Sequence, residues 1–178
     1  QPGYNGGDLT TAQLVARQVI EAFEGYDYVV GPSGSCIGML KEHYPSLFPI
    51  DADWAARARE MADRCYELVS FLTDVMDVES VDAKYPGRVA YHDSCSSLRE
   101  LGIKAQPRKL LHTVDSLELS EMKDTDVCCG FGGAFCVKYP DISARLASDK
   151  IDNARATGAD TLLAGDMGCL MNIAGRLH

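Results

Sequence analysis

The chain has 178 residues, of which 46% are hydrophobic and 24% charged, so it can bury a core as one ordinary domain or two small half-domains, and neither a disordered tail nor a fibre is expected. Seventeen Lys and Arg against 26 Asp and Glu leave a net charge of −9, which argues against a nucleic-acid binder and against docking on an anionic membrane surface. No run approaches the roughly 18 apolar residues of a membrane span, and the opening QPGYNGGDL has neither the basic nor the apolar region of a signal peptide.

In chain order, residues 9–24 predict a helix. Leu9, Ala12, Ala16, Val19, Ile20 and Phe23 fall at helical spacing, Asp8 is a ready N-cap and Gly25 a stop. A short buried strand, DYVVG (27–31), leads into a Gly/Ser loop ending at Cys36, and a second helix carries Ile37 to Tyr44 before Pro45. Trp54, Ala58, Met61, Cys65, Leu68, Leu72 and Val75 recur four and three apart, which predicts one long helix over 53–75. After Pro86-Gly87 the pattern turns to strand at RVAYHD (88–93), followed by a polar loop with Cys95 and a short helix near Leu98–Leu101. RKLLHTV (108–114) reads as another strand, and DVCCGFGGAFC (126–136) is too rich in glycine for regular structure. A helix over 141–157, a stop at Gly158, the strand TLLAG (161–165) and the loop DMGC ending at Cys169 complete the series. Short apolar strands alternating with helices predict an α/β fold of mainly parallel sheets with helices packed on them.

The chain repeats itself. A shift of 133 residues lays 8–39 on 141–172 without a gap, placing Asp8 on Asp141, Thr10 on Ser143, Arg17 on Lys150, Gly25 on Gly158, Asp27 on Asp160 and Cys36 on Cys169. Cap, helix stop, strand and cysteine align together, so each half is a helix–strand–Cys-loop unit and the halves are expected to be related by a pseudo-twofold. The expected organisation is residues 1–50 as the C-terminal part of a first repeat, 51–87 as a connecting helix and linker, and 88–178 as a second repeat. The second copy is preceded by Cys95 and by Cys128-Cys129-Gly130, and the chain does not begin with Met. A cysteine and a Cys-Cys-Gly are therefore expected in sequence before Gln1.

Seven cysteines, an odd number with one adjacent pair, do not make a secreted disulfide framework. Thiolates held for a metal or for redox work in a reducing compartment, by default the cytoplasm, fit better. Cys95, 32 intervening residues, Cys128-Cys129, 39 more, then Cys169 place four sulfurs on three loops that follow strands or fill Gly-rich turns. In an open α/β sheet such loops gather at the C-terminal strand edge, where ligands bind, and converging thiolates select an iron–sulfur centre or zinc. Cys36 is the corresponding ligand of a second or shared site. Cys65 lies on an apolar stripe and reads as core; Cys136 reads as a spare thiol. His92 offers either a hydrogen bond or proton shuttle beside the centre, or a turn histidine satisfied by backbone. Gly130, Gly132 and Gly133 admit backbone N–H groups close to sulfur, or simply make a tight turn.

The stretches EGYDYVVGPSGSC (24–36), HYP (43–45), YHDSC (91–95), CCGFGG (128–133), VKYPDIS (137–143) and GDMGCLMNIAGRL (165–177) resemble the cysteine-rich CCG family found in heterodisulfide reductase and in the iron–sulfur component of glycolate oxidase, and most closely its lactate-utilisation branch. The resemblance implies an iron–sulfur electron-transfer component, more an oxidoreductase subunit than a stand-alone enzyme, acting in 2-hydroxy-acid oxidation with other subunits of a lactate-oxidising complex. The heterodisulfide-type motif ends in CxxC, whereas Cys169 is followed by Asn172 and Cys36 by Met39 at the corresponding place. A four-thiolate 4Fe–4S cluster, a non-cubane cluster and zinc therefore all stay open, and a zinc-stabilised scaffold or assembly protein is the alternative function. A thiol–disulfide enzyme using Cys128-Cys129 lacks the CxxC near a βαβ start that such chemistry uses.

Overall fold

A computed structural model of the chain describes residues 2–177, so Gln1 and His178, the outer ends of the two expected repeats, lie outside the described residues. The fold is α/β, with every strand pairing parallel. Helices α1 (Pro2–Gly6) and α2 (Leu9–Phe23) lead to strand β1 (Val29–Gly31), helix α3 (Gly34–Gly38) and a π-helical turn at Met39–His43. Helix α4 (Ala52–Asp63), strand β2 (Cys65–Glu67), helix α5 (Leu68–Ser70) and a π-helical turn (Phe71–Val75) follow. The second half holds β3 (Lys84–His92), a π-helical turn (Ser96–Glu100), α6 (Ala105–Leu111), β4 (Asp115–Leu119), α7 (Phe135–Lys138), α8 (Pro140–Ala156), β5 (Thr161–Ala164) and α9 (Met167–Leu177).

The repeat extends to the elements: α1 corresponds to α7, α2 to α8, β1 to β5 and α3 to α9 at the same offset. Asp8 accepts the Thr11 N–H at 3.0 Å and starts α2. Gly25 and Gly158 end α2 and α8 at φ +85° and +67°, a left-handed turn that glycine adopts without a Cβ clash. Two equivalent residues of the repeat meet, as Ser33 Oγ donates to Asp166 Oδ2 at 3.1 Å.

Two sheets result. β1 pairs with β2, and β3 lies between β4 and β5 with His92 opposite Ala164. The main core gathers Ala12, Ala16 and Ile20 of α2 with Ile37, Tyr44, Phe48, Ala58, Met61 and Cys65. A smaller cluster joins Cys129, Ile151, Cys169 and Ile173.

Three expectations are corrected. The helix expected over 53–75 stops at Asp63, and Cys65–Glu67 become a strand. The stripe Ala58, Met61, Cys65 is buried as expected, but β1 needs a partner for its backbone: Val29 N donates to Arg64 O at 2.9 Å, and tertiary pairing overrides helix propensity. Residues 108–114 are not a strand. Residues 105–111 form α6, burying Pro107 and Leu110 one turn apart, and the strand comes after, at Asp115–Leu119. Finally, Cys169 does not end a loop but is the third residue of α9, as Cys36 is of α3.

Candidate metal centre

The parallel pairing of β3 with β5 brings their C-terminal ends together, so the segments after them, His92-Asp93-Ser94-Cys95 and Gly165–Cys169, lie side by side. Cys128 and Cys129 enter from the glycine-rich loop beneath α8. The backbone of that loop has φ +89° at Gly130, +49° at Gly132 and +61° at Gly133. A Cβ on Gly130 would sit 2.6 Å from Ser143 O, so only glycine lets the loop lie against α8, and Gly130 N donates to Cys128 Sγ at 3.3 Å. A Cβ on Gly168 would run 2.3 Å from the Phe131 ring.

The four sulfurs form a chain of contacts. Cys128 lies against Cys129 and Cys95, and their sulfurs hold its thiol below the ordinary value although burial opposes them. Cys95 is pushed up by Cys128 and then by burial. Cys129 is pushed up by its contacts with Cys128 and Cys169 and by burial. Cys129, and then the His92 ring, draw Cys169 down to about 6 despite desolvation. The sulfurs thus push one another's pKa values apart, because four sulfurs at this range cannot all carry charge unless a cation replaces the protons. The positive end of α9 adds to the stabilisation of Cys169 as thiolate.

His92, Cys129 and Cys169 are all buried, and their ligating atoms lie within 4.8 Å of one another. His92 lies against the Cys169 sulfur, and neither ring nitrogen has an oxygen or nitrogen partner. The expectation of a turn histidine satisfied by backbone is not what the fold contains. Cys36 is exposed, but it shares a cavity of about 310 Å³ with Cys95, Cys129 and Cys169. Glu100 and Asp166 also line that cavity, and among the described residues no Lys or Arg does. A cavity of about 360 Å³ lies elsewhere, between Gln13, Arg17, Phe48 and Asp51, with no cysteine in its wall. Cys65 is fully buried in the main core, where desolvation raises its thiol to about 11. Cys136 is half-buried and donates its Sγ to Gly133 O at 3.2 Å.

The surroundings hold these loops through residues that pattern reading left out. Arg108 grips Asp93, next to His92, with two bonds of 2.8 and 3.0 Å, and also bonds Glu121. Asn172 donates to Cys129 O at 2.9 Å, so this position fixes the adjacent-cysteine loop by its amide. Lys150 is buried, donates Nζ to the Asp124 and Thr125 carbonyls just before Cys128, and has its pKa lowered by burial. Asp166 accepts from Ser33, from Ser35 N and from Gly168 N, joining the starts of α3 and α9. These donors keep it below the ordinary carboxylate value although burial opposes them. Lys150 and Asn172 were legible only as the Arg17 counterpart and as the residue three after Cys169.

Parallel strands delivering cysteines to one edge, with a Cys-Cys-Gly loop inserted between them, define a cysteine-rich domain. The sequence profile of the CCG family, described as a cysteine-rich domain, matches residues 1–41 and 89–174, and the chain belongs to that family. The chain is 47% identical over 178 residues to a protein of Oceanobacillus iheyensis named Lactate utilization protein A, covering 100% of this chain and 72% of the relative. Proteins of the same name from an Exiguobacterium and a Geobacillus strain are 46% identical over 180 residues and 48% identical over 177, covering 100% and 99% of this chain and 73% and 74% of the relatives.

Proposed function

We propose that the chain is the iron–sulfur electron-transfer component of a lactate-oxidising system, its cluster, of the 4Fe–4S type, held by Cys95, Cys128, Cys129 and Cys169. The observation that carries this reading is the contact chain of those four sulfurs, drawn from three segments far apart in sequence. The donor set fits such a group: soft sulfur donors from four cysteines, and a buried imidazole whose only polar neighbour is one of those sulfurs. When bound, the cluster stores and releases single electrons.

The protein's own residues do the rest. Gly130 N–H already donates to a ligand sulfur, and such donors stabilise added negative charge and tune a potential. Asn172 and Arg108 fix the ligand loops. Lys150 holds the segment before Cys128 and Cys129 through the Asp124 and Thr125 carbonyls. The cavity beside the sulfurs carries two carboxylates, Glu100 and Asp166, and among the described residues no Lys or Arg to pair with the carboxylate of a 2-hydroxy acid; its one basic side chain, His43, already faces Glu100 at 3.7 Å. That favours electron transfer with partner subunits over oxidation of lactate on this chain, and the names of the relatives supply the lactate system. Cys36, facing the same cavity, is assigned to a second or shared site. Residues 1–50 and 88–178 then act as two repeats joined by 51–87.

The alternative is a zinc-held scaffold, for which the compact group His92, Cys129 and Cys169 would serve with one further thiolate. Iron, sulfide and zinc analysis of protein purified without oxygen decides between them. Iron and sulfide that vanish in a Cys128→Ser, Cys129→Ser variant support the electron-transfer reading; stoichiometric zinc without sulfide overturns it.

A further inference from the structure

We propose that His92 is a ligand of this centre, supplying an imidazole nitrogen alongside the thiolates of Cys129 and Cys169. The inference deepens the reading above and rests on it for the existence of a bound metal, though not for which metal it is.

His92 ends β3, paired with Ala164, and is 0% exposed. Buried polar side chains elsewhere in the described residues have partners. Glu67 accepts from the Val69 and Ser70 N–H groups, and Asp93 is gripped by Arg108. Ser94 bonds Ser97, Ser143 lies 3.5 Å from the Asn172 amide, Lys150 reaches two carbonyls, and Asp166 takes three donors. Only the His92 side chain is buried among them with no oxygen or nitrogen partner for either polar atom, its one polar neighbour being the Cys169 sulfur. A buried imidazole with only a sulfur beside one nitrogen loses its hydration and recovers little in return, which folded proteins rarely tolerate. A bound metal supplies the missing partner, because neutral imidazole is a strong ligand for zinc, iron and copper.

The placement agrees. Metal–sulfur and metal–nitrogen bonds of about 2.3 and 2.0–2.1 Å put ligand atoms roughly 3.5–4 Å apart, and the three donors already lie within 4.8 Å of one another. Arg108 holds the adjacent Asp93 from the other side, so the ring is positioned independently of the cysteines. Counting His92 with Cys95, Cys128, Cys129 and Cys169 gives five donors in a line of contacts. A tetrahedral zinc takes four donors and a 4Fe–4S cluster one for each of its four irons, so with His92 as a ligand beside Cys129 and Cys169 only one of Cys95 and Cys128 completes such a set.

The test uses the full chain purified without oxygen, with and without 15N-histidine. Metal content is assayed first. X-ray absorption is then recorded at the edge of the metal found, together with pulsed electron paramagnetic resonance when that metal is iron. The expected result is one nitrogen at about 2.0–2.1 Å among sulfur ligands, and for iron a nitrogen coupling that changes with the label. Sulfur-only coordination with no histidine coupling overturns the proposal while leaving an iron–sulfur reading intact. Zinc with one nitrogen keeps His92 and overturns electron transfer; a chain that binds no metal overturns both. His92→Phe is expected to speed metal loss to a chelator at least about 10-fold and to raise the melting temperature of the metal-free chain, with His92→Cys restoring retention. If His92→Phe lowers the melting temperature equally with and without metal, the ring is a packing residue and the proposal fails; if that variant does not fold, the wild-type nitrogen signal decides.

Discussion

Helices α2 and α8 occupy equivalent places in the repeat, yet they bury opposite faces. In α2 the buried positions are Ala12, Ala16 and Ile20, whose counterparts Arg145, Asp149 and Asn153 are not buried. In α8 they are Ser143, Ala147, Lys150 and Ile151, whose counterparts Thr10, Leu14 and Gln18 are exposed and Arg17 is half-buried. α2 packs toward α4 and the aromatic cluster of Tyr44, Phe48 and Trp54. α8 packs on α9 and on the Cys-Cys-Gly loop, where its buried positions include a serine and a lysine that serve that loop. Duplicated sequence repeats the backbone path; the partner laid against each helix decides which stripe goes inside. The first half is held by hydrocarbon and rings, and the second gives much of its interior to sulfur donors.

The largest effect expected from this asymmetry is on metal removal. Chelation of the loaded protein should strip amide-exchange protection from Cys128–Gly133 and the start of α9 while α2 and α4 keep theirs. Equal loss in both halves, measured by hydrogen exchange with mass spectrometry, would break the comparison. Next comes Arg108→Ala, which leaves the Asp93 carboxylate, 1% exposed, without its counter-ion. A cost of about 3–5 kcal/mol in denaturant unfolding is expected, together with loss of metal, since the same loop carries His92 and Cys95. Asn172→Ala removes the donor to Cys129 O. It should weaken metal retention by about 10–100-fold and barely alter the melting temperature of the metal-free chain.

The smallest effect lies in the first half and serves as a control. Glu67 ends β2, and burial raises its pKa, although the Ser70 and Val69 N–H groups it accepts from act the other way. The folded chain therefore binds this proton more tightly than the unfolded one. That contribution is fully present below the unfolded pKa and is lost as pH rises through the folded pKa, so at pH 7 the ionised carboxylate is a net cost. Glu67→Gln, which keeps an acceptor, should stabilise by up to about 1 kcal/mol at pH 7 and by nothing in acid, with metal content unchanged. Unfolding curves at the two pH values check it.

Much of the plan was legible in the residues. The 133-residue repeat, the stops at Gly25 and Gly158, the parallel α/β character and the burial of Cys65 are local or periodic features, and the structure contains them. Period alone did not separate the helix through Asp63 from the strand at Cys65–Glu67, because residues three and four apart go inside in either case until β1 demands an edge partner. RKLLHTV failed for a related reason: Leu110 packs one turn from Pro107 on a helix, and no neighbouring strand claims the segment.

The sequence by itself determined the donor types, since only a chain with these cysteines, these glycines and this repeat carries a Cys-Cys-Gly loop and a cysteine after each β1-like strand. Which sulfurs come together, that His92 joins them with no oxygen or nitrogen partner, and that Asn172, Arg108 and Lys150 support the loops were decided only by the tertiary structure. Spacing along a chain records local periodicity, whereas convergence at a sheet edge depends on which strands become neighbours and in what register.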